Sequence, residues 1–245
     1  MVAPPDDGLL RARALTVTLH RSPALADVSL DVRAGEVVVV GGPRGSGKTT
    51  LLRCLSGQLV PQQGEVWFRE TAVHSLGAAA RERLRRGAFG WVGSRPDLVP
   101  ELTAWENAAL PLLLSAVPHR TARARAMEWL GHLDIVRCAG KRPHALTQAE
   151  RQRIAVARGL IAEPSVLFAD EPTAALHRID HDHVLRTLLT VARARGVTVV
   201  LATSEPQAVA GAADRGVRLV DGRLDDPPAV TGTDAEGAAA CSLSV

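Results

Sequence analysis

The chain has 245 residues, 46% hydrophobic and 22% charged, enough for one large domain with a substantial core. Its net charge of +3 is mild, and only Lys48 and Lys141 among the 29 basic residues are lysines, a bias expected of the genome and not of a nucleic-acid surface. Aromatic residues make up 3% and tyrosine is absent, so base-stacking platforms are poorly supplied and no nucleic-acid partner is expected.

No apolar stretch approaches the about 20 residues that cross a bilayer. Ala108 to Val117 comes nearest and contains Pro111. The first residues, Met1-Val2-Ala3-Pro4-Pro5-Asp6-Asp7, show no basic-then-apolar run, so no secretory signal is expected and a cytoplasmic location is. Cys54, Cys138 and Cys241 lie far apart with no CxxC pairing, which suits idle thiols in a reducing compartment.

In chain order, Leu9 to Leu19 and Leu25 to Arg33 read as strands. Glu36 to Val40 is an apolar β-branched strand and Lys48 to Ser56 opens a helix. Between them Gly42-Pro43-Arg44-Gly45-Ser46-Gly47-Lys48-Thr49 matches G-x-x-x-x-G-K-[ST], a phosphate-binding loop. In such a loop the backbone N–H groups cradle phosphates, a lysine reaches the terminal ones and a hydroxyl meets Mg²⁺. The helix end itself favours anions. Residues 42 to 50, Thr50 included, are therefore the expected nucleotide-binding set.

Gly64 to Phe68 is a short strand, and residues 75 to 86 form a basic, solvated helix. Thr103 to Ser115 and Thr121 to Leu133 have helical spacing, broken by Pro111 and Pro118. A helix from Thr147, a strand at Ser165 to Ala169, a helix around Asp180 to Arg195 and a strand at Val197 to Ala202 follow. That alternation predicts a parallel sheet with crossover helices. From Asp221 the composition shifts to Gly, Pro, Ala, Ser and Asp, and residues 225 to 245 are expected to be a disordered tail.

Val166 to Glu171 is an apolar strand ending in two carboxylates, placed to face the glycine loop from the adjacent strand. Asp170 is placed to hold Mg²⁺ beside Thr49, and Glu171 to take a proton from an attacking water.

These residues, with Asp170-Glu171-Pro172-Thr173, Leu146 through Leu160, Leu102 to Asn107 and Leu110 to Leu114, resemble the ATP-binding subunits of ABC transporters over residues 9 to 224. The likeness is to the lipoprotein-release and macrolide-export type. It implies an α/β P-loop NTPase fold: a RecA-like core, an antiparallel β subdomain, and an inserted α-helical subdomain over about residues 95 to 145. It also implies ATP and Mg²⁺ as ligands, a membrane permease as partner, and a peripheral position on the inner face of the cell membrane. Two such domains, alike or different, close head to tail, each ATP held by one loop and the partner's signature segment.

Several positions depart from the family pattern. The signature, usually Leu-Ser-Gly-Gly-Gln or Leu-Ser-Gly-Gly-Glu, is Leu146-Thr147-Gln148-Ala149-Glu150. Side chains at Gln148 and Ala149 are expected to hold a backbone off a phosphate that glycine would approach. Thr147 and Glu150 keep a capping box. The linking glutamine falls at Ser94, the switch histidine at Ser204 and the aspartate after the carboxylate pair at His177. Leu19 or His20 occupies the region of the adenine-stacking aromatic. Arg44 either compensates near the phosphates or faces solvent; His181 and His183 read as surface residues, and Trp91, Trp105 and Trp129 as packing, with a transporter-facing groove the alternative for Trp105. The expectation is ATP binding with weak hydrolysis opposite a different, intact cassette; the alternatives are an ATP-gated regulator or a soluble ATPase unconnected with transport.

Overall fold

The computed structural model describes residues 8–225 with the exception of His20. Strands β1 (Gly8–Leu19) and β2 (Ser22–Arg33) form an antiparallel hairpin, and β3 (Val37–Gly41) leads through the glycine loop into α1 (Lys48–Leu55). Next come β4 (Gln63–Phe68), β5 (Thr71–Ala72), α2 (Ala78–Ala88) and β6 (Phe89–Val92). A helical layer follows, made of α3 (Ala104–Leu114), α4 (His119–His132) and α5 (Gln148–Leu160). The chain then returns through β7 (Val166–Asp170), α6 (Arg178–Ala194), β8 (Thr198–Thr203), β9 (Arg215–Val220) and β10 (Arg223–Asp225).

Two sheets result. One is antiparallel, ordered β2-β1-β4-β5; the other is ordered β10-β9-β3-β8-β7-β6 and is parallel except for β10. Alternation along β3 explains how they share the interior, because successive side chains of a strand point to opposite faces. Val37 and Val39 join the helical-side core with Ile154, Leu160 and Leu188, whereas Val38 and Val40 join the core that also holds α1 and the antiparallel sheet. A strand buried on both faces reads as a continuous apolar run, and β3 does.

The expected strands and helices form, with four corrections. Pro111 does not break its helix: α3 continues past it to a cap at Ser115, whose N–H reaches the Pro111 and Leu112 carbonyls, while Ala104, Ala108 and Leu112 stay buried along one face. The basic helix begins at Ala78 because Val73, buried at 1%, pins residues 73–75 as a separate 3-10 turn. The compositional shift at Asp221 does not end the sheet. Asp221 and Gly222 turn with positive φ and β10 pairs back on β9. Strand β9, only partly buried along RGVRLV, also escaped the pattern reading. Residues 226–245, including Cys241, lie outside the described residues. Cys54 and Cys138 are buried and free, and burial pushes the Cys54 thiol up to about 12, so it is idle as a nucleophile. Among the described residues no helix is long and apolar enough to cross a membrane.

Helix α5 meets β6 at bare backbone. A Cβ on Gly90 would stand 2.1 Å from the Gly159 carbonyl oxygen. Gly90→Ala should therefore cost about 1–3 kcal/mol of stability through overpacking, read as a lower urea midpoint. An unchanged midpoint would contradict this contact.

Candidate functional site

The site lies at the carboxyl ends of the parallel strands, where such sheets place their ligands. Strand register sets the row: Asp170 on β7 is level with Ala202 on β8, and Ala202 with Val40 on β3. Val92 on β6 is level with Ala169, so Gly93 follows at the height of Asp170.

The loop from Gly42 to Thr49 is folded tightly against its surroundings. A Cβ on Gly42 would fall 2.1 Å from the Leu219 carbonyl oxygen, and one on Gly47, at φ 103, 2.2 Å from that of Ala24. Only glycine fits either place. The turn before β10 buttresses the same loop, since Gly222 N–H donates to Ser46 O at 3.1 Å and Gly222 O accepts from Ala26 N–H at 2.8 Å. Sequence reasoning missed this support; the Asp221-Gly222 pair, a common turn dipeptide, was the available signal.

Lys48 is buried at 5%. Its Nζ donates to Gly42 O at 2.7 Å and Pro43 O at 2.9 Å and pairs with Glu171 Oε1 at 3.4 Å. Thr49 Oγ1 donates to Asp170 Oδ1 at 3.0 Å. Burial, more than any neighbour, raises the Asp170 carboxyl above its usual range; the Thr49 hydrogen bond opposes the rise and the nearby Glu171 charge adds to it. A hydroxyl and a carboxylate side by side are hard oxygen donors of the type Mg²⁺ takes. Among the described residues no cluster of three or more His, Cys, Asp or Glu could hold a metal ion by itself.

Glu171 has φ 48, its N–H bonded to Ala202 O at 2.9 Å. This kink turns its carboxylate from the β7 row toward the loop. The second carboxylate oxygen, Oε2, accepts from Ser204 Oγ at 3.3 Å. Ser204 thus engages the carboxylate, although it falls where the resemblance implies an imidazole.

Of the other expected residues, Gly45 is exposed at the crest of the loop, whereas Ser46 and Thr50 are buried at 3% and 8%. Arg44 is exposed and lines a groove of about 860 Å³ with Glu171, Ser204, His181, Leu185 and Val209. His181 is no simple surface residue: it lines that groove at 14% side-chain exposure, its Nδ1 3.0 Å from Asp182 Oδ1. His183 is half-buried on the same helix. His177 is exposed at the N-cap of α6. Leu19 is 38% exposed at the hairpin end, and His20 lies outside the described residues.

The signature segment belongs to the helical layer. The Thr147–Glu150 capping box forms, with Glu150 N–H to Thr147 Oγ1 at 3.2 Å and Thr147 N–H to Glu150 Oε2 at 2.9 Å. Cys138 Sγ donates to the other Glu150 oxygen at 3.1 Å. Ala149 is buried within the chain, so Thr147 and Gln148 are the side chains left outward. Trp105 packs between Arg123 and His119.

Residues 25–174 match the family model for ABC transporters. The chain belongs to that family. It is 39% identical over 200 residues to the lipoprotein-releasing system ATP-binding protein LolD of Paramagnetospirillum magneticum, covering 82% of this chain and 88% of that one. Its fold matches the dimeric post-hydrolysis structure of the ATP-binding cassette MJ0796 bound to ADP and Pi, with a TM-score of 0.81, 31% identity, and 89% and 97% of the two chains covered. It also matches cbiO1 of Clostridium perfringens, part of the cbiONQ ABC transporter complex, with a TM-score of 0.81 at 25% identity over 90% and 88% of the chains. This ABC cassette is an ATP-binding subunit of a transporter.

A raised carboxyl pKa in the fold means that stability falls as pH rises from the ordinary value through the raised one, and the cost of the charge is fully present above it. Without metal at pH 7.5, Asp170→Asn should therefore raise the melting temperature. The gain should shrink toward pH 4 and reverse in saturating Mg-ATP. Equal melting of the two proteins in metal-free buffer would contradict it.

Proposed function

We propose that this cassette binds Mg-ATP, turns it over slowly, and drives a separate membrane permease from the cytoplasmic face. The observation that carries the reading is the joint placement of Lys48, Thr49, Asp170 and Glu171 at one sheet edge. Lys48 and the amides of residues 42–49 hold the phosphates, and Thr49 with Asp170 holds the metal. When bound, Mg²⁺ neutralises charge on the β- and γ-oxygens. Glu171 accepts the proton of the attacking water, and Ser204 steers its carboxylate through the 3.3 Å hydrogen bond.

Slow turnover follows from what the side chains lack. Ser204 keeps a hydroxyl for Glu171 but has no imidazole to reach a γ-phosphate, and Ser94 is an exposed short side chain with no amide. Losing one preorganised transition-state contact commonly costs about 10²–10³ in rate. Such losses within one site do not simply add. Binding is spared, because the loop and Lys48 are intact.

Two cassettes then share the work. Gln148 in this chain's signature presents a side chain where the family has glycine, so this site works best when a different cassette supplies the signature that closes on it. The likeness to a lipoprotein-releasing ATP-binding protein makes export of a lipid-linked or amphipathic substrate the leading transport class.

Phosphate release from the purified chain tests this reading. The double variant Ser94→Gln/Ser204→His should hydrolyse at least about a hundredfold faster, and mixing the native chain with an intact-signature cassette should exceed the sum of the two alone. No gain in either arm would overturn it.

A further inference from the structure

Helix α5 grips the turn that carries Ser94. Gln152, 1% exposed, donates through Nε2 to Gly93 O at 2.8 Å. Arg158 forks onto the same turn, Nη1 to Asp97 O at 2.9 Å and Nη2 to Pro96 O at 2.6 Å. Pro96 is buried beneath it and Asp97 has φ 41, so the turn is bent around these anchors. The bare contact of Gly159 with Gly90 brings the helix close enough for both side chains to reach.

Nothing in the packing requires an amide at position 152. Gln152 Oε1 is buried with no hydrogen-bond partner among the described residues. A half-satisfied buried amide is costly, and an apolar side chain of similar shape would avoid that cost. The bond to Gly93 is what the amide supplies. Gly93 is also a telling place to hold, because it directly follows Val92, whose partner Ala169 on the neighbouring strand directly precedes Asp170. Arg158 repeats the logic: it is half-buried, burial lowers its pKa, and it spends two donors on main-chain carbonyls of this turn.

We propose that Gln152 and Arg158 are positioning residues for hydrolysis, fixing residues 93–97 beside Asp170 and making that turn move with α5. The same helix begins at the Thr147 capping box, so one rigid element joins the signature segment to the flank of the metal carboxylate. This rests on the nucleotide reading above. The grip itself does not.

The test uses the full chain and three measurements: hydrogen exchange over residues 93–98, Mg-ATP affinity, and single-turnover hydrolysis with protein in excess. Gln152→Met keeps the volume and removes the donor. Exchange at the turn should quicken about tenfold, the worth of one amide hydrogen bond, and hydrolysis should slow about tenfold with affinity within twofold of wild type. Arg158→Lys, which keeps charge without the fork, should repeat the pattern if Gln152→Met folds poorly. Faster exchange with unchanged hydrolysis, slower hydrolysis with unchanged exchange, or affinity falling in step with the rate would each overturn the proposal. If wild type fails to bind Mg-ATP, the functional reading fails, and the exchange result alone still decides whether the grip exists.

Discussion

A buried ammonium needs acceptors, and the site is organised around giving Lys48 three of them. Two are carbonyls of its own loop, Gly42 and Pro43, and the third is the carboxylate of Glu171 from across the sheet edge. An ammonium has three protons. Two therefore reach loop carbonyls as hydrogen bonds, and Glu171 faces the ammonium as an ion pair at 3.4 Å. The loop carbonyls are fixed by the fold of residues 42–47, whereas Glu171 sits on the longest contact and ends a flexible side chain. Ser204 tethers the other oxygen of the same carboxylate.

That arrangement depends on distant parts of the chain. The loop is wedged between the Leu219 and Ala24 carbonyls and is tied to the turn at Gly222. The Asp170–Thr49 pair exists because β7 and β3 flank β8 in register, bringing side chains 121 residues apart to 3.0 Å. On the other side of the same row, α5 governs the turn after Gly93. Two parts of the chain thus meet at one edge: the glycine loop through Lys48, and the helical layer through α5.

Much of this was legible in the residues. The glycine spacing before Lys48, the five-residue apolar β3 and the carboxylates closing β7 specify strand, loop and metal side together, because each demands a backbone geometry that few residue types allow. The capping box at Thr147 was legible for the same reason. What escaped reading depended on contacts between remote segments. Strand β10 is three residues long, leaving little pattern to read. The bond from Ser204 to Glu171 depends on the φ of 48 at Glu171, which no residue-level rule supplies. His181 looked like part of a polar helix, yet the first turns of α6 border the groove beside Glu171. Pro111 failed as a breaker because tertiary packing along the alanine face of α3 outweighs one lost backbone bond.

The most direct measurement is calorimetric titration of Mg-ATP into wild type and Lys48→Ala, each with and without magnesium. Wild type should bind in a magnesium-dependent manner, and the variant should bind roughly 10- to 150-fold more weakly, the worth of a hydrogen bond to a charged group. Equal affinity in the two proteins, or affinity indifferent to magnesium, would contradict the assignment of this sheet edge as the nucleotide site.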